Sequence, residues 1–442
     1  MAQHIPLQKR SSLWTNRNFL FLWAGQAFSL TGDYFFAATI TIWMIDQLAR
    51  GEPWLPLATA GVGIALALPS LLLAPIAGVF VDRWERRATM LWTDIMRMIL
   101  VLCYLGMVLF VHVSSWLLVS SFVILFLCNS GGQFFNPALA AVVADVVIEE
   151  QHPQAFGSYQ QIRYVAQVIG PSLAGPLYLA LGPGWAFAFN AVSYLVSFLL
   201  LVPIKVPPYT PSQAQQAQRF WLEFGDGLRF FMTNRVLITL LLSGMIFMLA
   251  GMAYNGFEYL YGVQNLHVPT NWLGVYVACF GIGVVVGMPL TARLVKRVPQ
   301  VELLWMFLIG KGITVLILSR MTTMIPGMVC GLLSGFFSTA IFVTTRPLTA
   351  RVTPRHFMGR VMAFETTMIM TASVIGTLVA STLASTTLNQ FHVMLAGMSF
   401  GQLDTIFIAI GLLMICSGVF ARLTLYREVK KLDQEEAKAC TI

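Results

Sequence analysis

Long stretches without a charged side chain alternate with short polar segments along this chain. Residues 98–144, 164–204 and 366–403 contain no Asp, Glu, Lys or Arg. A helix needs roughly 20 apolar residues to cross the hydrocarbon core of a membrane, so each stretch is long enough for two spans. Turn-forming or polar residues divide each stretch near its middle, at 114–115, 182–184 and 389–390.

The pattern predicts twelve membrane spans. Helices are expected rather than the strands of a barrel, because the apolar runs are long and show no alternation of apolar and polar residues. The fold class is therefore an all-α integral membrane protein with twelve transmembrane helices. The predicted spans are 18–45, 55–81, 92–111, 116–143, 158–181, 185–204, 236–259, 272–292, 301–319, 324–345, 361–386 and 403–424.

Composition and charge agree with a membrane environment. Of the 442 residues, 57% are hydrophobic and 10% are charged, whereas a soluble domain carries about 25% charged residues. The net charge of +8 comes from Lys and Arg in alternate loops, while the opposite loops hold only Arg50 and Arg320. Because cytoplasmic loops are rich in Lys and Arg, both termini are expected in the cytoplasm of a cell (inner or plasma) membrane, and the charge requires no nucleic-acid partner.

A polar segment at residues 205–235 divides the chain into halves of six spans each, 1–204 and 236–442. Aromatic residues at helical spacing in this segment favour a helix lying on the inner membrane surface. TNRNFLFLW at 15–23 and TNRVLITLL at 233–241 open the two halves. This repetition indicates two parallel structural repeats.

The segment GVFVDRWERRATM at 78–90 places several charges directly after an apolar run, in the spacing Gly78, Asp82, Arg83, Arg86 and Arg87. The glycine permits close helix contact. The arginines hold this loop on the inner side, where they can contact anionic lipid. The aspartate follows a helix C-terminus, where an anion is unfavourable, so it needs partners.

The spacing GxxxDRxxRR resembles the signature of the major facilitator superfamily of secondary transporters. The resemblance covers the whole chain and implies two six-helix bundles that rock around a central site. It also implies that Asp82 pairs with arginine and faces the start of span eleven, near Glu365, to latch an inner gate. The alternative is a loop that only determines topology.

Two further motifs indicate a branch of this superfamily. Span five contains Gly170, Pro171, Ala174 and Gly175, which resemble the GPxxGG motif of proton-coupled drug antiporters with alanine in place of one glycine. Span eight offers Gly283 and Gly287 as a partner face for these small residues; the alternative is an ordinary proline kink. The start FLFLWAGQAFSLTGDYFF, with Gly32 and Asp33, resembles macrolide and siderophore exporters.

Charged residues inside the spans are functional candidates, because each is costly in hydrocarbon. Asp33 lies midway through span one and is the candidate for proton coupling, with a structural hydrogen bond or salt bridge as the alternative. Asp94 and Arg97 share a face of span three, which predicts a local pair with a mainly structural role.

Three other charged residues lie inside the predicted spans. Arg163 is expected to pair with Asp145 or to contact the inner gate. Glu258 is interpreted as an outer-gate residue or a charge facing a loop. The family resemblance implies that span nine is peripheral, so Lys311 is expected to extend its amine toward the membrane surface.

The resemblance also implies a cavity between spans one, four, seven and ten. An aromatic set with few charges favours amphipathic substrates over sugars and strongly charged compounds. Ordinary helix packing is the alternative explanation for any single member of the set. The candidate residues are Tyr34, Phe35, Phe36, Asn129, Gln133, Phe134, Asn136, Tyr254, Asn255 and Phe257.

The sequence thus predicts a secondary active transporter that exports small amphipathic, drug- or macrolide-like compounds in exchange for protons by alternating access. A lysophospholipid or siderophore carrier, a metabolite importer and a transporter-like receptor are the alternatives. The sequence contains no nucleotide-binding loop, catalytic triad or metal-ligand motif, so we expect no enzyme activity, cofactor or metal. The expected partners are the substrate, protons and membrane lipid, and the expected state is a monomer.

Overall fold

The structure is a computed structural model that describes residues 13–81, 84–111, 113–206, 229–354, 358–388, 391, 393–395 and 398–439. Asp82, Arg83 and most of the segment at 205–235 lie outside the described residues. Twelve helices in the described part of the chain are long and apolar enough to cross a membrane. The prediction of twelve helical spans is confirmed.

The helices follow one another with short connections. They are α1 (Arg17–Trp43), α2 (Leu55–Val81), α3 (Arg86–Phe110), α4 (Ser114–Val146), α5 (His152–Leu181), α6 (Pro183–Leu201), α7 (Arg235–Gln264), α8 (Thr270–Leu294), α9 (Gln300–Leu318), α10 (Met324–Val352), α11 (Met358–Ser385) and α12 (Gln402–Ala439). A π-helical turn, Met44–Leu48, extends α1. Strands β1 (Val393–Leu395) and β2 (Met398–Phe400) form an antiparallel hairpin between α11 and α12, with Val393 opposite Phe400.

Several helices run past their predicted ends, among them α5, which begins at His152, and α10, which ends at Val352. α3 begins at Arg86, ahead of the predicted span, because Glu85 occupies the N-cap position and the two arginines form the first turn. α12 continues to Ala439, well beyond the predicted end at 424. Its extension is rich in Lys, Glu and Ala, which favour helix without needing a hydrophobic environment.

The repeated TNR sequence folds in the same way at both of its positions. The side chain of Asn16 accepts hydrogen bonds from the backbone N–H groups of Asn18 and Phe19 at 3.1 and 3.3 Å. The side chain of Asn234 accepts from Val236 and Leu237 at 3.0 and 3.3 Å. Each asparagine therefore caps the first turn of α1 or α7 and satisfies N–H groups that lack partners within the helix.

Helices α1–α6 pack mainly on one another, as do α7–α12, and the two groups meet through α5 with α8 and through α2 with α7 and α11. The closest approach leaves no room for a side chain: a Cβ atom on Gly274 would lie 1.7 Å from the carbonyl oxygen of Pro171. Gly256 faces Ala60 less closely, since a Cβ atom there would lie 3.5 Å from the Ala60 Cα atom, at ordinary van der Waals distance. These contacts lie toward the end that carries the α1–α2 and α7–α8 loops, which the charge pattern predicts to be outside and which we call the outer end.

Glycines of α8 serve two different interfaces. Gly274 contacts α5, whereas a Cβ atom on Gly283 would lie 2.0 Å from the carbonyl oxygen of Leu332 in α10. Gly287 also faces α10, at Phe336 and Thr339. The expectation that Gly283 and Gly287 face span five is therefore wrong; these residues pack α8 within its own half of the molecule.

Candidate functional site

A cavity of about 270 Å³ lies among α1, α2, α3, α4 and α5. The contacts between the two halves at Gly274 and Gly256 lie nearer the outer end. The cavity lining runs along α1 from Gln26 to Ala37 and along α4 from Leu125 to Asn136, so the cavity lies near the middle of the membrane, with Asp33 between its two ends. Its polar lining comprises Gln26, Ser29, Asp33, Tyr34, Arg97, Asn129, Gln133, Asn136 and Arg163.

Asp33 belongs to a cluster in which two carboxylates share one guanidinium. Arg97 Nη2 donates to Asp94 Oδ1 at 2.6 Å, and Arg97 Nη1 lies 3.9 Å from Asp33 Oδ2. The other oxygen of Asp33 accepts a hydrogen bond from the Tyr194 hydroxyl, and Asp94 Oδ2 accepts one from Ser197 Oγ at 2.6 Å. The local pair predicted from the spacing of Asp94 and Arg97 is thus present.

The two carboxylates of this cluster differ in their access to water. Asp94 is 0% exposed, whereas the side chain of Asp33 is 35% exposed and lines the cavity. Arg97 is itself buried, and its guanidinium lies over the rings of Phe135 and Tyr194 at 5.0 and 4.6 Å. Arg97 is therefore committed to Asp94, and Asp33 is the carboxylate available to a proton or ligand.

Close packing of α1 on α6 brings Asp33 to this position. A Cβ atom on Gly32 would lie 2.2 Å from Ser193 Oγ and 2.7 Å from Asn190 Oδ1, so only glycine fits there without displacement. The neighbouring Asp33 then reaches Tyr194 on α6. Sequence reasoning missed Tyr194 and Ser197, although their three-residue spacing in an otherwise apolar span places both on one face of α6.

Arg86 and Arg87, the described arginines of the inner motif, contact helices of the first half. Arg86 Nη1 lies 2.6 Å from Asp145 Oδ2 at the end of α4. Arg87 donates to the backbone carbonyls of Leu201, at 3.4 Å, and Val202, at the end of α6. Gly78 lies near the end of α2, and Glu365 lies in the first part of α11; the predicted contact between Asp82 and Glu365 falls outside the described residues.

Arg163 does not form its expected pair. Asp145 instead pairs with Arg86 at the surface, and Arg163 lies in the first half of α5 on the wall of the cavity. Sequence position alone gives no helix rotation, and α5 turns this residue toward α1 and α4. The other expectation, a contact between Arg163 and the inner gate, stays a prediction.

The antiporter-like motif lies where α5 meets both α1 and α8. A Cβ atom on Gly170 would lie 2.7 Å from Tyr34 Cβ, and one on Gly175 would lie 2.7 Å from the carbonyl oxygen of Thr270. Pro171 presents its carbonyl to Gly274, and Ala174 is fully buried. The small residues therefore bring the cavity wall into contact with the second half of the molecule.

Glu258 and Lys311 are both 3% exposed, in the interior of the second half. The Tyr254 hydroxyl donates to Glu258 Oε1 at 3.1 Å, and Lys311 Nζ donates to Ser338 Oγ at 2.6 Å. The amine also lies 5.1 Å from the Phe247 ring, 5.7 Å from that of Tyr254 and 5.1 Å from that of Phe280. Aromatic faces attract a cation, so these rings suit the charged amine.

Two expectations about these residues are wrong. Lys311 does not reach the membrane surface, because α9 packs against α10 and α12 and turns this side chain into the bundle. Glu258 does not face a loop, because its carboxylate is enclosed next to Tyr254.

The cavity differs from the predicted set in composition. Tyr34, Phe36, Asn129, Gln133 and Asn136 line it as expected. Asp33, Arg97 and Arg163 line it too, so the expectation of a cavity poor in charges is wrong.

The remaining candidates lie elsewhere. Phe35 packs on Phe189 with ring centroids 5.3 Å apart, and Phe134 stacks on Trp84 at 6.0 Å. Tyr254 and Phe257 are 0% exposed, and neither they nor Asn255 line this cavity. The walls come from the first five helices, whereas the prediction included spans seven and ten.

Comparisons with known proteins agree with this architecture. A family model described as transmembrane secretion effector matches residues 11–416. Macrolide efflux protein A of Streptococcus pyogenes is 23% identical over 427 residues, covering 94% of this chain and 97% of that protein. BacE of Bacillus subtilis (strain 168), described as a bacilysin exporter, is 28% identical over 280 residues. That match covers 62% of this chain and 66% of BacE, just under two thirds of its length.

Solved structures share the fold at low sequence identity. A bacterial homologue of the human lysosomal transporter Spinster, in an inward-facing and unoccupied conformation, gives a TM-score of 0.69 at 14% identity, covering 93% of this chain and 98% of that one. The POT family transporter PepTSo gives 0.74 at 12% identity, covering 94% and 99%. Together with the family model, which spans most of the sequence, these likenesses show that the chain belongs to the major facilitator superfamily of transporters, in the transmembrane secretion effector family.

Proposed function

We propose that the protein exports small amphipathic compounds across the cell membrane in exchange for protons, by alternating access. The observation that carries this proposal is Asp33, a carboxylate exposed to a cavity at membrane depth while Arg97 is paired with Asp94. Relatives named for efflux of macrolides and export of bacilysin support the direction. The predicted orientation, with both termini in the cytoplasm, places the end of the cavity lined by Gln26 and Asn136 nearer the cell interior.

Asp33 can couple two fluxes because it can satisfy only one ligand at a time. In its ionised form it is held by the Tyr194 hydroxyl and a 3.9 Å contact with Arg97. A carboxylate inside a membrane protein is costly unless neutralised, so either a proton or a cationic group of the substrate stabilises it. Because the proton and the cationic group of the substrate exclude each other from Asp33, substrate moves one way only when a proton moves the other way.

Alternating access requires the two halves, 1–204 and 236–442, to move relative to each other. In this structure they meet at the outer end, through Gly274 against Pro171 and Gly256 against Ala60. Release of substrate to the outside would separate these contacts and close the inner end, where Arg86 and Arg87 form the first turn of α3.

Proton coupling is tested in proteoliposomes loaded with ethidium, an amphipathic cation, under an imposed pH gradient. We expect the wild type to move ethidium against its gradient when protons flow the other way. Asp33→Asn should abolish the dependence on pH, because the amide can neither take up nor release a proton.

Asp46→Asn is the matched control. Asp46 is another acid of the first span, but it lies at the outer end, where it accepts a hydrogen bond from Tyr178 at 2.8 Å. It should keep its response to the gradient. Undiminished pH-driven transport by Asp33→Asn would contradict the proposed role of Asp33, and ethidium movement independent of pH in the wild type would contradict exchange.

A further inference from the structure

The cavity contains an arginine without a protein partner among the described residues. Arg163 is exposed and lines the cavity, and within the described part of the chain its guanidinium forms no hydrogen bond or ion pair. By contrast, Arg97 is held by Asp94, and Arg86 is held by Asp145. Charges at membrane depth that face a water-filled cavity mark the path of a substrate or ion.

Amide side chains surround the same space. Gln26, Asn129 and Asn136 line the cavity, and their side chains form no hydrogen bond within the part of the chain that the structure describes. Each carboxamide offers both donors and an acceptor. This set can bind the peptide and carboxyl groups of a ligand, which a purely apolar wall cannot.

Charge balance restricts the ligand further. Asp33 and Asp94 carry two negative charges in and beside the cavity, and Arg97 and Arg163 carry two positive ones. With Asp33 ionised, a zwitterion can satisfy Asp33 and Arg163 together, whereas an amphipathic cation such as ethidium can satisfy Asp33 alone and leaves Arg163 without an anion.

We propose that Arg163 binds the carboxylate of a compact zwitterionic substrate of the amino-acid or short-peptide class, with the substrate amine directed to Asp33. This inference rests on the proposed function for the identity of the transported site and specifies the substrate class. A guanidinium fork matches a carboxylate with two parallel hydrogen bonds. The volume of about 270 Å³ lies just below the usual range for ligand pockets, roughly 300–1,000 Å³, which favours a small ligand.

The test measures binding to the purified full-length protein in detergent by isothermal titration calorimetry. The probes are leucyl-phenylalanine, its C-terminal amide and its N-acetyl derivative, which differ mainly in charge. The wild type should bind the zwitterion most tightly. Arg163→Gln should weaken zwitterion binding by about 10- to 100-fold, the loss expected for hydrogen bonds to a charged group, and leave binding of the C-terminal amide unchanged.

Two variants separate recognition from folding. Arg163→Lys retains the charge but not the fork, so its loss should be smaller than that of Arg163→Gln. Arg422→Gln removes an arginine whose guanidinium lies 4.6 Å from the Trp305 ring, far from the cavity, and it should bind all three probes as the wild type does. Melting temperatures of each variant verify that it is folded.

Several outcomes would overturn the inference. Equal binding of the zwitterion and its amide by the wild type, an equal loss for all probes in Arg163→Gln, or no binding of any probe would each do so. Tighter binding of lysophosphatidylcholine than of the dipeptide would also overturn it, in favour of a lipid headgroup. Because this binding assay uses no proton gradient, its result does not depend on whether the protein exchanges substrate for protons. Failure of this inference can therefore be distinguished from failure of the proposed proton exchange.

Discussion

The two halves of the molecule place a buried cation at the same point and treat it differently. Arg97 and Lys311 occupy equivalent positions when counted from the first residues of their helices, α3 and α9. Arg97 stands beside two carboxylates, one of which lines a cavity. Lys311 is enclosed by three aromatic rings and a serine. One of these rings belongs to Tyr254, whose hydroxyl donates a hydrogen bond to Glu258.

The neighbouring helices repeat this correspondence. Cys128 and Ser338 are also equivalent when counted from the first residues of their helices, α4 and α10. Ser338 accepts from Lys311, and Cys128 lines the cavity beside Arg97. In the first half, the buried Arg97 stands beside two carboxylates, Asp33 and Asp94. In the second half, the buried Lys311 is matched by one carboxylate, Glu258. We infer that Asp33 in the first half takes up and releases a proton during transport, whereas the buried charges of the second half keep their protonation states and have a structural role.

The largest effect is expected from removing the buried amine of the second half. Lys311→Met leaves Glu258 buried without a cation, and breaking such a charge balance costs about 3–5 kcal/mol of folding free energy. The double variant Lys311→Met with Glu258→Gln should regain most of this loss, because neither charge remains. Unfolding in detergent, followed by circular dichroism, measures both.

The same variants test whether the second half titrates. Folded protein of the double variant should keep the pH dependence of ethidium transport, which Asp33→Asn should abolish. Loss of that dependence in the double variant would show that both halves take part in proton exchange. This result would contradict the inference that the second half has only a structural role.

An intermediate effect is expected where the halves touch. Gly274→Ala forces a methyl group against the Pro171 carbonyl, and overpacking of this kind typically costs about 1–3 kcal/mol. The cost applies only while the outer end is closed, so the population should shift toward conformations with that end open. Spin labels at Glu52 and Gln264, both exposed near the outer end, should report longer distances.

Gly283→Ala is the control for this prediction. It meets a backbone carbonyl of Leu332 in α10, within the second half, and should lower stability without altering the label distance. A similar shift in both variants would mean that general loosening, rather than the interface, sets the distance.

The smallest effect is expected at the surface of the first half. Arg86 and Asp145 are 2.6 Å apart, but their side chains remain 29% and 27% exposed. Exposed ion pairs contribute about 0–1 kcal/mol, so Arg86→Gln should change the unfolding free energy by no more than this. A loss comparable to that of Lys311→Met would show that this pair has a much larger structural role.

Hydropathy and charge patterns predicted the fold because membrane spans are specified along one dimension. The boundary errors, at α3, α5, α10 and α12, arose where the helix continues beyond the hydrocarbon and no longer depends on apolar residues. The pairing of Asp94 with Arg97 was also predictable, since residues three apart on a helix are neighbours.

The site itself depends on contacts between helices that hydropathy does not encode. Tyr194 reaches Asp33 only because Gly32 lets α1 and α6 approach. Arg163 faces the cavity, and Lys311 the bundle interior, because of helix rotation, which the sequence pattern left open. A general expectation about span nine therefore gave the wrong environment for Lys311.

The contact between Gly274 and the Pro171 carbonyl has a consequence for the cell's energy supply. A bacterium stores energy as a proton gradient across the membrane that contains exporters of this family. Protons that leaked through an exporter while it transports no substrate would dissipate this gradient. Backbone packed directly on backbone leaves no room for a water molecule between α5 and α8 at this contact, so protons can pass there only after the two halves have separated.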